Sequence, residues 1–122
     1  MAAGLETLRI ITEEADYIEK VTAKTSVLTE GIRQAAEKSG VKVQVPQAGT
    51  MFSVFFSDKP VTNYADAEGC DAEAFKQYFL SMLSDGIYLA PSPFETNFVS
   101  GAHSDADIEK TIKAAEKAFR SL

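Results

Sequence analysis

The chain has 122 residues, a formal net charge of −6 at pH 7 and 45% hydrophobic residues. This length and composition are typical of one globular domain with a core that needs no disulfide or metal. The acidic balance argues against nucleic acid and anionic membrane surfaces as partners, because both require clustered Lys and Arg. With Cys70 as the single cysteine, no signal-peptide pattern and no apolar run of about 20 residues, the sequence predicts a reducing cytoplasmic location.

The first forty residues predict two helices. Residues 1–11 have helical spacing of apolar side chains with no capping residue before them, so we expect Met1 to be internal to a longer protein. Asp16 is predicted to begin a second helix, which Gly40 ends in a left-handed conformation. Its predicted inward stripe consists of Ile18, Val21, Thr25, Leu28, Ile32 and Ala35.

The middle of the chain predicts an antiparallel pair of strands. Residues 41–45 alternate with period two, residues 46–49 form the predicted turn, and residues 51–56 form a second strand rich in aromatic side chains. Aromatic residues fall on both sides of that second strand, so we expect one face of the sheet to be covered by another body. The polar residues 57–70 are predicted to form a loop.

The rest of the chain predicts two helices separated by two strands. Asp71 is predicted to cap a helix that ends at Gly86, and Ser104 begins a capping box that opens the terminal helix. Residues 87–89 and 94–99 are the predicted strands. The predicted inward residues are Phe75, Tyr78 or Phe79, Met82 and Leu83 of the first helix, and Ile108, Ile112, Ala115, Phe119 and Leu122 of the second.

This order of elements predicts an α+β fold, in which helices pack on one face of a small, mainly antiparallel sheet. The sequence contains no phosphate-cradling Gly-rich loop, dinucleotide fingerprint or Ser-His-Asp set. His103 and Cys70 are predicted to be structural. The acidic residues between 66 and 73 are predicted to be solvated and to complement a helix start, not to bind a metal.

Glu95 is the polar residue whose surroundings are unusual. It follows a turn marked by Pro91 and Pro93 and lies between Phe94 and Phe98. A plain solvated loop rarely has this composition, and an unpaired buried carboxylate is costly. We therefore expect Glu95 to face a cavity, an interface or a basic partner.

Several motifs in this sequence resemble, in the right order, the glutamate-1-semialdehyde 2,1-aminomutase family of class III aminotransferases. They are AGLETL at 3–8, GTMF at 49–52 followed by FF at 55–56, VTNY at 61–64 and GIYLAPS at 86–92. The run FETNF at 94–98, with AHS at 102–104 and DI at 107–108, resembles the C-terminal signature of that family. Thr96 and Ser104 differ mildly from the Ala and Thr that we expect there.

The resemblance implies that residues 1–122 are the C-terminal small domain of a longer, homodimeric pyridoxal-phosphate enzyme of fold type I. Such an isomerase converts glutamate 1-semialdehyde to 5-aminolevulinate in porphyrin biosynthesis. In that family the Schiff-base Lys, the acidic partner of the pyridine nitrogen and the phosphate cup all belong to the large domain. We therefore expect no catalytic, cofactor-binding or metal-binding residue in this chain, and no activity of the chain alone.

The resemblance also gives Glu95 a role in the substrate pocket. Related aminotransferases use a nearby Arg to bind a substrate α-carboxylate, whereas the semialdehyde has an aldehyde at that end. A Glu there repels amino acids and tolerates a cationic diamine. Gly49 and Thr50 are predicted to shape the neighbouring wall. The alternative is a structural Glu95 that pairs with an Arg or a helix end.

Two other functions remain open at this point. The chain is also compatible with the small domain of another class III aminotransferase, for which an Arg at position 95 is the expected feature. A free-standing binding or oligomerisation module with an open sheet face is the alternative outside enzymes.

Overall fold

The computed structural model describes all 122 residues, as five helices and three short strands. The helices are α1 (Ala2–Glu13), α2 (Tyr17–Ser39), α3 (Tyr64–Glu68), α4 (Ala72–Ser84) and α5 (Asp105–Arg120). The strands are β1 (Gln47–Ala48), β2 (Met51–Phe52) and β3 (Asn97–Phe98), in one antiparallel sheet of order β1-β2-β3. The predicted α+β class and antiparallel sheet are confirmed.

The hairpin of β1 and β2 lies further along the chain than its predicted place. Residues 41–45 form only a bridge, between Gln44 and Phe55, and the turn consists of Gly49 and Thr50. Pro46 has no N–H group to donate to a ladder, so it separates this bridge from β1. Gly49 has a φ of +60°, the positive value that the first central residue of a II′ hairpin turn requires.

The predictions for residues 57–70 and 87–99 need correction. Residues 87–89 are not a strand, because the Ala90 N–H bonds to the Asn97 side chain at 2.9 Å and not to a strand backbone. The predicted strand 94–99 shrinks to β3, since residues 92–95 form a Pro-containing turn. The predicted loop 57–70 contains α3, whose cap Asn63 accepts a hydrogen bond from the Asp66 N–H at 3.0 Å.

The long helices pack together largely as their spacing predicts. α2 packs on α5, and α5 packs on α4. Ile18 was predicted to point inward but is 47% exposed, because the inward stripe of α2 begins at Tyr17, four residues before Val21. Leu83 and Leu122 are exposed too, since Leu83 follows the fully buried Met82 and Leu122 lies beyond the end of α5.

Three aromatic rings form the centre of the core. Tyr78 stacks on Phe119 with ring centroids 4.9 Å apart, and Phe56 meets the Tyr78 ring edge-on at 5.6 Å. Phe52, Val54 and Phe56 are buried, while the alternate residues between them face outward. The period-two pattern of residues 51–56 therefore holds even where the chain is not a regular strand.

Helix α1 has no buried residue. Its apolar side chains Leu5 and Leu8 are 72% and 64% exposed, and the helix touches the rest of the chain only near the start of α2. This helix therefore lacks an apolar partner within the chain.

Candidate functional site

Glu95 is the last residue of a tight turn that begins at Ser92. The Glu95 N–H donates to the Ser92 carbonyl at 3.1 Å, and the Ser92 hydroxyl accepts from the Phe94 N–H at 3.2 Å. Pro93 occupies the first central position, where its fixed φ suits such a turn. Residues 92–95 therefore hold the backbone at Glu95 through hydrogen bonds within the turn.

The Glu95 side chain is exposed and makes no hydrogen bond or ion pair within the chain. An Arg or a helix end as its structural partner is thus absent from these 122 residues. Its carbonyl accepts a long hydrogen bond from the Ser53 hydroxyl at 3.5 Å. This bond links the turn to the chain segment that follows β2.

Glu95 lies between Phe94 and Phe98 in the chain, and both aromatic side chains are exposed. Phe94 stacks on Tyr64 of α3 with ring centroids 5.6 Å apart, and Phe98 is 67% exposed. Phe98 lies opposite Met51 in the sheet, so both side chains project from the outer face. We call Met51, Tyr64, Phe94 and Phe98 the aromatic face.

Gly49 and Thr50 lie at the other end of the β2–β3 pair from Glu95. The Thr50 carbonyl accepts from the Val99 N–H at 3.0 Å. Val99 is four residues after Glu95, and β3 lies between them. The structure therefore joins the three predicted pocket residues through one sheet but does not bring the turn into contact with Glu95.

Sequence reasoning missed Gln47, which ties the hairpin turn to α2. Its Nε2 donates to the Gly49 carbonyl at 2.9 Å and to the Ser26 hydroxyl at 3.0 Å, and its Oε1 accepts from the Thr29 hydroxyl at 2.9 Å. A signal was present, because Gln47 continues the period-two pattern of Val43 and Val45 onto the inward side.

Asn97 was also missed, although it holds three segments together. Its Oδ1 accepts from the Ala90 N–H at 2.9 Å, and its Nδ2 donates to the Phe52 carbonyl at 3.4 Å. Asn97 and Phe52 are register partners whose side of the sheet faces the core. An amide at an inward position next to an aromatic residue was the available signal.

A cavity of about 280 Å³ lies behind β3, next to the Glu95 turn. Segments 87–91 and 96–99 and the first half of α5 line it, and the lining includes no Lys or Arg. Pyridoxal phosphate requires a Schiff-base Lys and cationic or N–H donors for its phosphate. The residues at this site therefore do not fit that cofactor by themselves.

A larger groove, of about 710 Å³, lies between α2 and α5. Apolar residues such as Val21 and Ile108 form its floor, and Lys and acidic residues its rim. None of Glu95, Gly49 and Thr50 lines it. This groove is therefore separate from the candidate site.

The remaining polar candidates have local structural roles. The His103 Nδ1 accepts from the Ser100 N–H at 3.0 Å. Burial raises the pKa of the Cys70 thiol, and the nearby Asp66 carboxylate raises it further, which disfavours the nucleophilic thiolate. Hydrogen bonds from the Thr62 N–H and hydroxyl lower the pKa of Asp66. No group of three or more His, Cys, Asp or Glu side chains is arranged to bind a metal ion. No helix is long and apolar enough to cross a membrane.

Comparisons with known proteins show which proteins the chain resembles. No model of a protein family matches the chain. Proteins named glutamate-1-semialdehyde 2,1-aminomutase, from Geotalea daltonii and Limosilactobacillus reuteri, are 48% and 45% identical to it over 122 and 121 residues. The chain spans only 28% of the length of each of these relatives.

Solved structures agree on the fold. The FumI protein of Sphingopyxis sp. MTA144, solved in its PLP internal aldimine form, is 28% identical with a TM-score of 0.75 over 98% of this chain and 26% of its own. An omega-transaminase from Sphaerobacter thermophilus is 18% identical with a TM-score of 0.78, over 97% and 26% of the two chains. The chain is therefore similar, along its whole length, to a segment that makes up 28% of the length of proteins named glutamate-1-semialdehyde 2,1-aminomutase.

Proposed function

We propose that residues 1–122 are the C-terminal small domain of a glutamate-1-semialdehyde 2,1-aminomutase. Such an enzyme moves the amino group of glutamate 1-semialdehyde from C2 to C1 and yields 5-aminolevulinate. The observation that carries the proposal is the identity of 43–48% to proteins of that name along the chain. The rest of such an enzyme holds pyridoxal phosphate and its Schiff-base Lys, and the chain alone is inactive.

The role proposed for Glu95 is substrate selection. Its carboxylate is exposed, has no partner in the chain and lies beside the aromatic face. A negative charge at this place disfavours substrates with an α-carboxylate and favours a cationic diamine. Gly49 and Thr50, at the other end of the β2–β3 pair, form a different wall of the same pocket.

The rest of the enzyme is also the proposed partner of two bare apolar surfaces. These are the aromatic face and the side of α1 that carries Leu5 and Leu8. Contiguous exposed apolar surface commonly marks an interaction site. We propose that the cofactor domain covers both surfaces, in a homodimer located in the cytoplasm.

A segment exchange tests the role of Glu95 in a complete enzyme. Residues 1–122 replace the matching segment of the Geotalea daltonii aminomutase, which aligns with all of them. We expect Glu95→Gln in this chimera to lower the ratio of aminomutase to half-transamination rates about ten- to a hundredfold, as expected for one charge in a partly desolvated pocket. More cofactor is then stranded in its aldehyde form.

Glu68→Gln is the matched control, because Glu68 is another exposed carboxylate without an ion pair and belongs to α3. The control is expected to leave the ratio unchanged. If Glu95→Gln also leaves it unchanged in an equally folded and cofactor-loaded chimera, Glu95 has no part in substrate selection.

A further inference from the structure

The side chain of Gln47 is oriented by groups that can only accept hydrogen bonds. Its Nε2 faces the carbonyl oxygens of Gly49 at 2.9 Å and Thr22 at 3.4 Å. Its Oε1 therefore points toward the fully buried Thr29, whose hydroxyl donates to it at 2.9 Å. The two carbonyl oxygens fix the orientation of the amide, because neither could donate to an Oε1 placed on that side. The Ser26 hydroxyl, at 3.0 Å, is a third acceptor for the two Nε2 protons.

The hairpin depends on this amide because its own ladder is short. β1 and β2 have two residues each, and a two-stranded hairpin of that length is not stable by itself. The Gly49–Thr50 turn is tied to β3 by the hydrogen bond from the Val99 N–H to the Thr50 carbonyl. On the opposite side the turn is connected to α2 through Gln47. This side chain bonds both to the Gly49 carbonyl and to Ser26 and Thr29 of α2.

We infer that Gln47 is a positioning residue, which fixes the Gly49–Thr50 turn on α2 and thereby sets one wall of the substrate pocket. The claim about the turn concerns this chain alone. The claim about the pocket rests on the proposed function. Gln47 itself is half-buried behind the turn and acts through the turn, not by touching substrate.

Gln47→Glu removes the hydrogen bonds that this side chain donates, the bond to Gly49 among them, and keeps the one that it accepts. A carboxylate still accepts from the Thr29 hydroxyl. It cannot donate to the Ser26 hydroxyl or to the carbonyl oxygens of Gly49 and Thr22, and it repels both carbonyls. In residues 1–122 we expect amide exchange at Val99 to become about three- to tenfold faster, the effect of one hydrogen bond. Exchange at Phe55, which bonds to the Gln44 carbonyl at the far end of the hairpin, is expected to stay as it is.

Gln44→Glu is the matched control in the same hairpin, since the Gln44 amide makes one long bond to the Ser57 carbonyl at 3.4 Å. It is expected to leave exchange at Val99 unchanged. Gln47→Met, of similar length and without charge, repeats the test if the new carboxylate unfolds the protein. Unchanged exchange at Val99, or equal acceleration at Val99 and Phe55, overturns the inference about the turn.

The chimera tests the pocket wall separately. With Gln47→Glu we expect a KM for glutamate 1-semialdehyde about tenfold higher at nearly unchanged kcat and cofactor loading, because a displaced wall weakens ground-state and transition-state binding alike. An unchanged KM, despite faster exchange at Val99, overturns the role in the pocket. An inactive chimera with the unaltered segment refutes the proposed function, and amide exchange then still decides the inference about the turn.

Discussion

Tyr78 carries a hydroxyl without a partner in the middle of the core. The side chain is fully buried, and its oxygen makes no hydrogen bond. Burial raises the pKa of this phenol well above its usual range, so the group stays neutral. The ring packs well against Phe119, but the hydroxyl loses its water without compensation.

We therefore expect Tyr78→Phe to leave the free energy of unfolding unchanged or to raise it by about 1 kcal/mol. The ring stack remains, and the cost of desolvating one hydroxyl is removed. Urea unfolding of both proteins measures the difference. A loss of more than about 1 kcal/mol contradicts this reasoning, because it requires a hydrogen bond to the hydroxyl.

Asp107 makes folding sensitive to acid. The Ser104 hydroxyl, and then the Ser104 N–H, donate to its carboxylate and hold its pKa below the usual range. A carboxyl pKa that is lower in the folded than in the unfolded state contributes stability above the unfolded pKa, about 4. That contribution is lost as pH falls through the lower folded pKa.

In Asp107→Asn, the free energy of unfolding is thus expected to fall less steeply with pH below about 4 than in the unaltered chain. An Asn still accepts from the Ser104 N–H but has no charge to lose. Urea midpoints measured between neutral pH and acid compare the two slopes. Equal slopes show that the capping box of α5 does not contribute to acid sensitivity, and that other carboxylates such as Asp66 do.

Side chains that act on their own local backbone were predictable from the sequence. Asp71, Ser104 and Gly40 end or begin helices where expected, because capping rules concern neighbouring residues only. Gln47 and Asn97 were not predictable in the same way, since their partners lie up to 45 residues away. The unpaired state of Glu95 also required the fold.

At the scale of elements, the close approach of α2 and α5 depends on Gly31. An ideal Cβ at Gly31 would lie 2.4 Å from Ile112 Cδ1 and 2.7 Å from its Cγ1. Ile112 is β-branched and lies in a helix, so it has little freedom to move aside. If residue 31 gains a side chain, Ile112 must leave its preferred rotamer or the two helices must move apart.

Gly31→Ala is expected to lower the free energy of unfolding by about 1–3 kcal/mol through overpacking, despite the better helix propensity of Ala. Gly4→Ala in α1 is the matched control, because nothing lies within 4 Å of its ideal Cβ; this change is expected to be neutral or to stabilise by up to about 1 kcal/mol. Denaturant unfolding compares both with the unaltered chain. A smaller loss from Gly31→Ala in an Ile112→Ala background than in the unaltered chain identifies the Ile112 contact as the cause. Equal effects of the two Gly→Ala changes refute it.

Helices were predictable as elements and strands were less so. The spacing of apolar residues located α2, α4 and α5 within a few residues, since each has a long inward stripe. The sheet is small, and side chain–backbone hydrogen bonds and prolines replace much of its ladder. Alternation therefore predicted a full strand over residues 41–45, where the chain makes one bridge, and another over residues 87–89, where no strand forms.

At the scale of the whole molecule, residues 1–122 form a core of 19 buried hydrophobic residues yet leave α1 and the aromatic face bare. The sequence predicted an uncovered face, because aromatic residues occur on both sides of the second strand. Periodicity shows that a helix has an apolar side but does not identify what covers it.

The segment exchange with the Geotalea daltonii relative tests the central claim, that these residues are the small domain of a glutamate-1-semialdehyde 2,1-aminomutase. The measurement is kcat/KM for 5-aminolevulinate formation by the chimera that carries the unaltered residues 1–122. We expect a value within about tenfold of the complete relative, a change of at most about 1.4 kcal/mol in transition-state binding. A soluble, cofactor-loaded chimera that forms no 5-aminolevulinate would contradict the account.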